Sequence, residues 1–205
     1  MPRSRITEEM ARLAFRSYRP WSNTAGAQIV ELAVSLPLLA LLFVGTYDVG
    51  QAFNTKQKLV AATREGTRFA ANQSTSDLTD SSSGSCSAPT SICAVRDLMD
   101  SYLVAAGVND CGLSSTSANT TTTWQWEFDA STGCGGNTFT VIINRGYTYP
   151  TTSKLGTNNV PVTVEATQVT MSYPYQWQFN RLVQILGGNV AVSSIPTSAV
   201  MRNLD

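Results

Sequence analysis

Residues 32–47 read LAVSLPLLALLFVGTY, sixteen consecutive positions without a charge, entered past Glu31 and left before Asp48. A helix needs about 20 apolar residues to cross a bilayer. Ala27 to Gly50 supplies that length with Glu31 and Asp48 as its only charges. Because the run is apolar on every side, it makes a poor amphipathic surface helix. Three readings compete. A cleaved secretory signal would use Arg3, Arg5, Arg12, Arg16 and Arg19 as an unusually long basic region, with removal near Gly50-Gln51-Ala52. A buried helix of a water-soluble core is the second. The third is a helix that stays in the membrane after losing only a leader, residues 1–26, of net charge +3.

The residues just upstream favour the third reading. Gly26-Ala27-Gln28-Ile29-Val30-Glu31-Leu32 sets a small residue five places before a lone carboxylate that enters the apolar run, a pattern similar to that of type IV prepilins. An ionised acid at mid-bilayer costs about 2.5–3.5 kcal/mol, so it needs a partner or a purpose. Cleavage after Gly26 would create a positive amine on Ala27, one helical turn before Glu31. That amine can meet Glu31 of its own chain or of a neighbour in a low-dielectric setting. The plainer alternative sets Glu31 at the headgroup boundary, where a charge is cheap.

The likeness extends along the chain. Glu31-Leu32-Ala33-Val34-Ser35-Leu36-Pro37, the Leu-rich residues to Gly45, Gly50, and Ala61-Ala62-Thr63-Arg64-Glu65-Gly66-Thr67-Arg68-Phe69-Ala70-Ala71 together resemble the TadE-like family. Its members are minor pilins or pseudopilins of the tight-adherence (Flp, type IVc) pilus system. The resemblance covers about residues 25–72. It departs from the commonest form at Leu32, where an aromatic is usual, and at Thr63 and Thr67, where Ala is usual. It implies prepilin-peptidase cleavage between Gly26 and Ala27, and a register-setting role for Glu31 on an assembly helix that Pro37 kinks or loosens. The partners it implies are the major pilin, other minor pilins, the prepilin peptidase, the inner-membrane assembly platform and membrane lipid.

Past the apolar run, Val49, Ala52, Phe53, Leu59, Ala62, Gly66, Phe69 and Ala70 keep near-helical spacing. One helix from about Ala27 to Ala71 would measure roughly 68 Å. Ala62, Gly66 and Ala70 recur every four positions and allow close helix packing, against sister subunits or against the chain's own C-terminal sheet. Lys56, Lys58, Arg64 and Arg68 lie where positive charge should be scarce on an outer face, so charge counting leaves the orientation open.

Composition bounds the rest. The 205 residues suit one domain with an appendage. The 14 basic and 14 acidic side chains cancel, which argues against nucleic-acid binding. Residues 1–68 carry net +4 and residues 69–205 net −4. The 22 Ser and 25 Thr suit an extracytoplasmic module. Histidine is absent, which removes the usual general base and zinc ligand. No phosphate loop, nucleophile–base pair or metal cluster is present. Asp97 with Asp100, and Glu127 with Asp129, read as solvated faces. We therefore expect no catalytic residue, no metal and no cofactor.

The Ser-rich stretch 73–93 reads as a linker to a head over residues 94–205. Cys86, Cys93, Cys111 and Cys134 are even in number behind an export-type segment and predict two disulfides. Proximity favours Cys86 with Cys93 and Cys111 with Cys134. A zinc site is disfavoured because the spacings lack paired knuckles. Ala94 to Ala106 predicts an amphipathic helix with Val95, Leu98, Met99, Tyr102 and Leu103 inward and Arg96 outward. Trp124, Trp126 and Phe128 alternate into a strand, and Phe139 to Ile143 forms its hairpin partner, pinned at the tip by Cys134. Val160 to Met171 predicts a third strand with a bulge near Ala166 to Gln168. A short helix through Phe179 and Val183 ends at Gly187-Gly188, and a closing strand, Asn189 to Met201, is broken at Pro196. The class is α+β with an antiparallel sheet.

Two aromatic clusters, Tyr147 with Tyr149 and Tyr175 with Trp177, offer stacking faces for sugars or proline-rich peptides, or else pack against the sheet. The expectation is a non-enzymatic minor pilin or pseudopilin, single-pass in a bacterial inner membrane with its head in the periplasm or outside, entering an extracellular pilus. The alternative is a membrane-anchored adhesion module that never enters a filament.

Overall fold

The computed structural model describes residues 24–79, 84–155, 158–185 and 187–204, and the proposed leader falls outside these apart from its last residues. The chain forms two compact units, Met1–Thr46 and Tyr47–Asp205. The boundary lies inside a helix and not in the Ser-rich stretch.

That helix, α1 (Thr24–Ala71), is uninterrupted and contains Pro37. Its Ala- and Leu-rich sequence has strong helix propensity and no glycine pair to break it. In the first unit the large apolar side chains from Ile29 to Phe43 stand open, from 57% exposed at Leu36 to 75% at Phe43, and Val44 is half-buried. The hydroxyls in this stretch turn back on the helix. Ser35 Oγ donates to the Leu32 carbonyl at 3.3 Å, and Thr46 Oγ1 to those of Leu42 and Phe43 at 3.1 and 2.9 Å. Polar groups satisfied within the helix itself are what an apolar surrounding requires.

The second unit uses the rest of α1 as a core element. Leu59, Ala62 and Ala70 are fully buried. Thr63 and Thr67, also buried, bond to the carbonyls of Leu59 and Thr63 at 2.7 and 2.6 Å. Thr63 Oγ1 also pairs with Thr197 Oγ1 at 2.8 Å. A second helix, α2 (Thr90–Ala105), follows. Then comes a five-stranded antiparallel meander: β1 (Asn119–Thr122), β2 (Gln125–Ala130), β3 (Phe139–Leu155), β4 (Asn158–Tyr175) and β5 (Ser193–Arg202), in spatial order β1-β2-β3-β4-β5. The short α3 (Asn180–Ile185) joins β4 to β5. Trp126, Phe128 and Ala130 of β2, Phe139, Val141 and Ile143 of β3, and Val169 and Met171 of β4 share one core with Ile92, Val95, Met99 and Leu103 of α2. This α+β class agrees with the sequence.

Four differences are physical. Residues 84–93 are not linker: Cys86, Ala88, Pro89 and Ile92 are buried. Asp77 caps α2 from a distance, its carboxylate accepting from the Ser91 N–H at 2.8 Å and the Ser91 hydroxyl at 3.0 Å. Arg96 points inward, because its guanidinium reaches the Thr116 carbonyl at 2.5 Å and lies over the Phe128 ring, while Tyr102 is 38% exposed. The irregular register lies opposite Thr167, but the extra residue is on β3, between Asn144 and Tyr147. Pro196 does not break β5: it pairs with Ser172 on an edge strand, where a missing donor costs nothing.

The two disulfides are Cys86–Cys93 and Cys111–Cys134, the pairing favoured by proximity. The first fastens the entry to α2. The second ties the loop after α2 to the β2–β3 connection.

At Gly66 a Cβ would meet Met99 Sδ at 2.6 Å and Cγ at 2.7 Å, so any larger residue there forces the buried Met99 side chain to shift. Gly66→Val therefore overpacks the head and should cost about 1–3 kcal/mol of stability, read as a lower denaturant midpoint at unchanged slope. An unchanged midpoint would show that Gly66 faces another subunit and not Met99.

Candidate functional site

The chain carries two features that are costly in water. The first is the open half of α1. Leaving a Leu, Ile or Phe side chain in water forgoes about 1.5–3 kcal/mol, and Ile29, Val30, Leu32, Val34, Leu36, Leu38, Leu39, Leu41, Leu42 and Phe43 are all more than half exposed. Such a surface is complete only when covered by lipid or by other apolar helices. Within the described residues α1 is the one helix long and apolar enough to cross a membrane.

On this surface lie the residues singled out from the sequence. Gly26 and Ala27 are exposed, and a Cβ built on Gly26 would have nothing within 4 Å. Glu31 is exposed one turn further on, and Pro37 sits in the same open stretch. Ala62, Gly66 and Ala70 are elsewhere: all three are buried in the head, with Gly66 under Met99. Their small size serves the chain's own packing. The face they form is closed by α2 as well as by the sheet.

The second costly feature is Asp48, a fully buried carboxylate at the start of the second unit. Burying an acid requires donors. Tyr175 supplies its hydroxyl to Oδ1 at 3.0 Å, and the Phe179 N–H donates to Oδ2 at 3.1 Å. The same hydroxyl lies 3.2 Å from the Asp48 carbonyl. Trp177 stands edge-on to Tyr175 with ring centroids 5.2 Å apart, touches Phe179 at 5.9 Å, and donates Nε1–H to Ser193 Oγ at 3.0 Å. In the sequence Asp48 reads only as the end of the apolar run. The available signal was an acid following sixteen uncharged positions, since a charge at such a border is costly unless held.

The aromatics expected to recognise a ligand are thus divided. Tyr175 is buried and committed to Asp48, and Trp177 is half-buried against it. Tyr147 and Tyr149 are half-buried on β3, across from Ala166 and Val164. On β4 nine residues separate Ala166 from Tyr175, about 30 Å of strand. The two clusters do not form one site.

Three of the four carboxylates paired in the sequence are occupied. Asp97 accepts from Arg96, Asp129 from Thr140, and Asp100 from the Ser114 N–H. Burial and the neighbouring Asp110 raise the Asp100 pKa. Among the described residues no group of three or more His, Cys, Asp or Glu could hold a metal ion, and all four cysteines are in disulfides.

Comparison with known proteins adds one finding. The family model described as TadE-like protein matches residues 26–68, from the Gly26 turn through Glu31, Pro37, Ala62 and Gly66. The sheet lies wholly beyond the match. No curated protein and no solved structure matches the chain.

The buried clamp makes a titration prediction. Burial first, and Asp48 second, push Tyr175 up to about 12. A folded-state value above that of a free phenol means the clamp contributes fully below about pH 10 and loses that contribution as pH rises through the shifted value. In an alkaline absorbance titration, subtracting the Tyr175→Phe curve from the parent curve should leave one phenolate step near pH 12. The substitution should also cost about 1–3 kcal/mol at neutral pH, because Asp48 loses a donor. A difference step centred near pH 10 would show that the clamp is open in solution.

Proposed function

On the premise of a TadE-like segment over residues 26–68, we propose that this chain is a minor pilin or pseudopilin of the tight-adherence pilus system, structural and not catalytic. The observation that carries the reading is the open half of α1, apolar on every side yet entered past one exposed acid, Glu31. A lipid anchor needs the apolar surface but not the acid. A helix that packs among sister helices has a use for both. Cleavage between Gly26 and Ala27 leaves a positive amine one turn from Glu31, and pairing of that amine with a neighbour's Glu31 sets the axial register of subunits. Pro37, a few residues on, loosens the helix where it leaves lipid for the filament.

The subunit waits in the bacterial inner membrane as a single-pass protein. Its head, from about Tyr47, is extracytoplasmic, a side supported by the two disulfides and the hydroxyl-rich composition rather than by charge counting. Partners on this reading are the major pilin, other minor pilins, the prepilin peptidase and the assembly platform.

Sequencing the N-terminus of the mature protein should return Ala27, and Glu31→Ala should reduce filaments by about tenfold or more while membrane levels stay unchanged. A mature chain that begins at Met1, with filaments indifferent to Glu31→Ala, would make it a plain anchor. A chain that begins near Phe53 would make the open half of α1 a discarded signal.

A further inference from the structure

The β3 bulge has a consequence away from α1. Two residues of β3, Arg145 and Gly146, stand opposite Thr167 alone. Arg145 turns inward, buried, and its Nη2 donates to the Gln73 carbonyl at 2.8 Å. Its backbone N–H donates to the Trp124 carbonyl at 2.9 Å. Trp124 is thereby held at φ 62°, a backbone region that side chains other than Asn and Asp rarely adopt. Next to it, a Cβ on Gly146 would come within 3.2 Å of Trp124 Cε3, so the glycine leaves the seat on which the indole rests. A strained backbone, a bulge and a glycine seat together hold one large aromatic 41% exposed.

The indole borders a cleft of about 710 Å³, also lined by Thr151, Thr152, Glu165, Arg202 and Asn203. Glu165 and Arg202 are exposed, and among the described residues neither side chain is in an ion pair or a hydrogen bond. One free acceptor group, one free donor fork and threonine hydroxyls thus face the same space as an open aromatic ring.

We propose that this cleft binds a neutral carbohydrate, with the sugar's C–H face on Trp124 and its hydroxyls on Glu165, Arg202 and the threonines. The two exposed charges, Glu165 and Arg202, offset each other, and Arg145, which also lines the cleft, is buried with its guanidinium on the Gln73 carbonyl, so the accessible charge does not select a polyanion. A proline-rich peptide would need a row of aromatics, whereas Tyr147 and Tyr149 do not line the cleft. Size fits as well, since small-ligand sites typically enclose about 300–1,000 Å³.

The test uses the full chain in a zwitterionic detergent free of sugar headgroups. It is applied to an array of immobilised neutral oligosaccharides ending in glucose, galactose, mannose or N-acetylhexosamine, with proline-rich peptides alongside. At least one glycan should retain the protein and shift its tryptophan fluorescence. Trp124→Ala should weaken that binding by about tenfold or more. Glu165→Gln and Arg202→Gln, both at exposed positions, should weaken it severalfold without loss of fold, and they carry the test if Trp124→Ala does not fold. Retention by no glycan, retention by peptides alone, or binding indifferent to all three substitutions would overturn the proposal. No filament is needed, so the result is independent of the pilus reading.

Discussion

The head depends on the burial of a small-residue face of α1. Leu59, Ala62, Gly66 and Ala70 give α2 and the sheet something to close against, and at Gly66 the Met99 side chain occupies the space a Cβ would take. Without that face the meander would present Trp126, Phe128, Phe139 and Ile143 to water. The same helix, a few turns earlier, has no buried residue among the described ones before Asp48. One secondary-structure element thus answers to two environments, and the change comes at Asp48, where a carboxylate held by Tyr175 and Phe179 opens the globular part.

Much of this was legible because it depends on local pattern. Sixteen uncharged residues specify an apolar helix whatever surrounds them. The four cysteines paired in their order along the chain, and the alternation gave a strand with Trp126 and Phe128 inward, whereas Trp124, read as part of the same strand, lies in the turn before it and is exposed. What escaped the sequence was set by distant partners. Arg96 reads as an outward charge until the Thr116 carbonyl and the Phe128 ring are beside it. β1 has no apolar alternation because all four of its residues are exposed, so nothing in its Thr-rich run marks an edge strand. Pro196 looks like a break, and only its place on the outer strand makes it harmless.

The candidate sites show the same division. Gly26, Glu31 and Pro37 could be picked out because an acid or a proline in an apolar run stands out against its neighbours. Asp48 and Trp124 could not be assigned, since each acquires its role from residues far along the chain: Tyr175 in one case, Arg145 and Gly146 in the other. Of Tyr175 and Trp177, which read from the sequence as either a recognition pair or packing, Tyr175 donates to the buried acid and Trp177 packs edge-on against it. An aromatic cluster beside a proline marks packing as readily as binding, and the partner of its hydroxyl decides between them.

The spatial order of the strands is also their order in the chain. A polypeptide delivered from its N-terminus, off a ribosome or through a membrane channel, can therefore add each strand to the one that emerged just before it. No early strand waits with both edges open for a late partner, a situation that invites pairing between molecules. The piece that does wait is the inner face of α1, which appears first and stays uncovered until α2 follows. Alanine, glycine and threonine are among the least adhesive residues such a face could present during that interval.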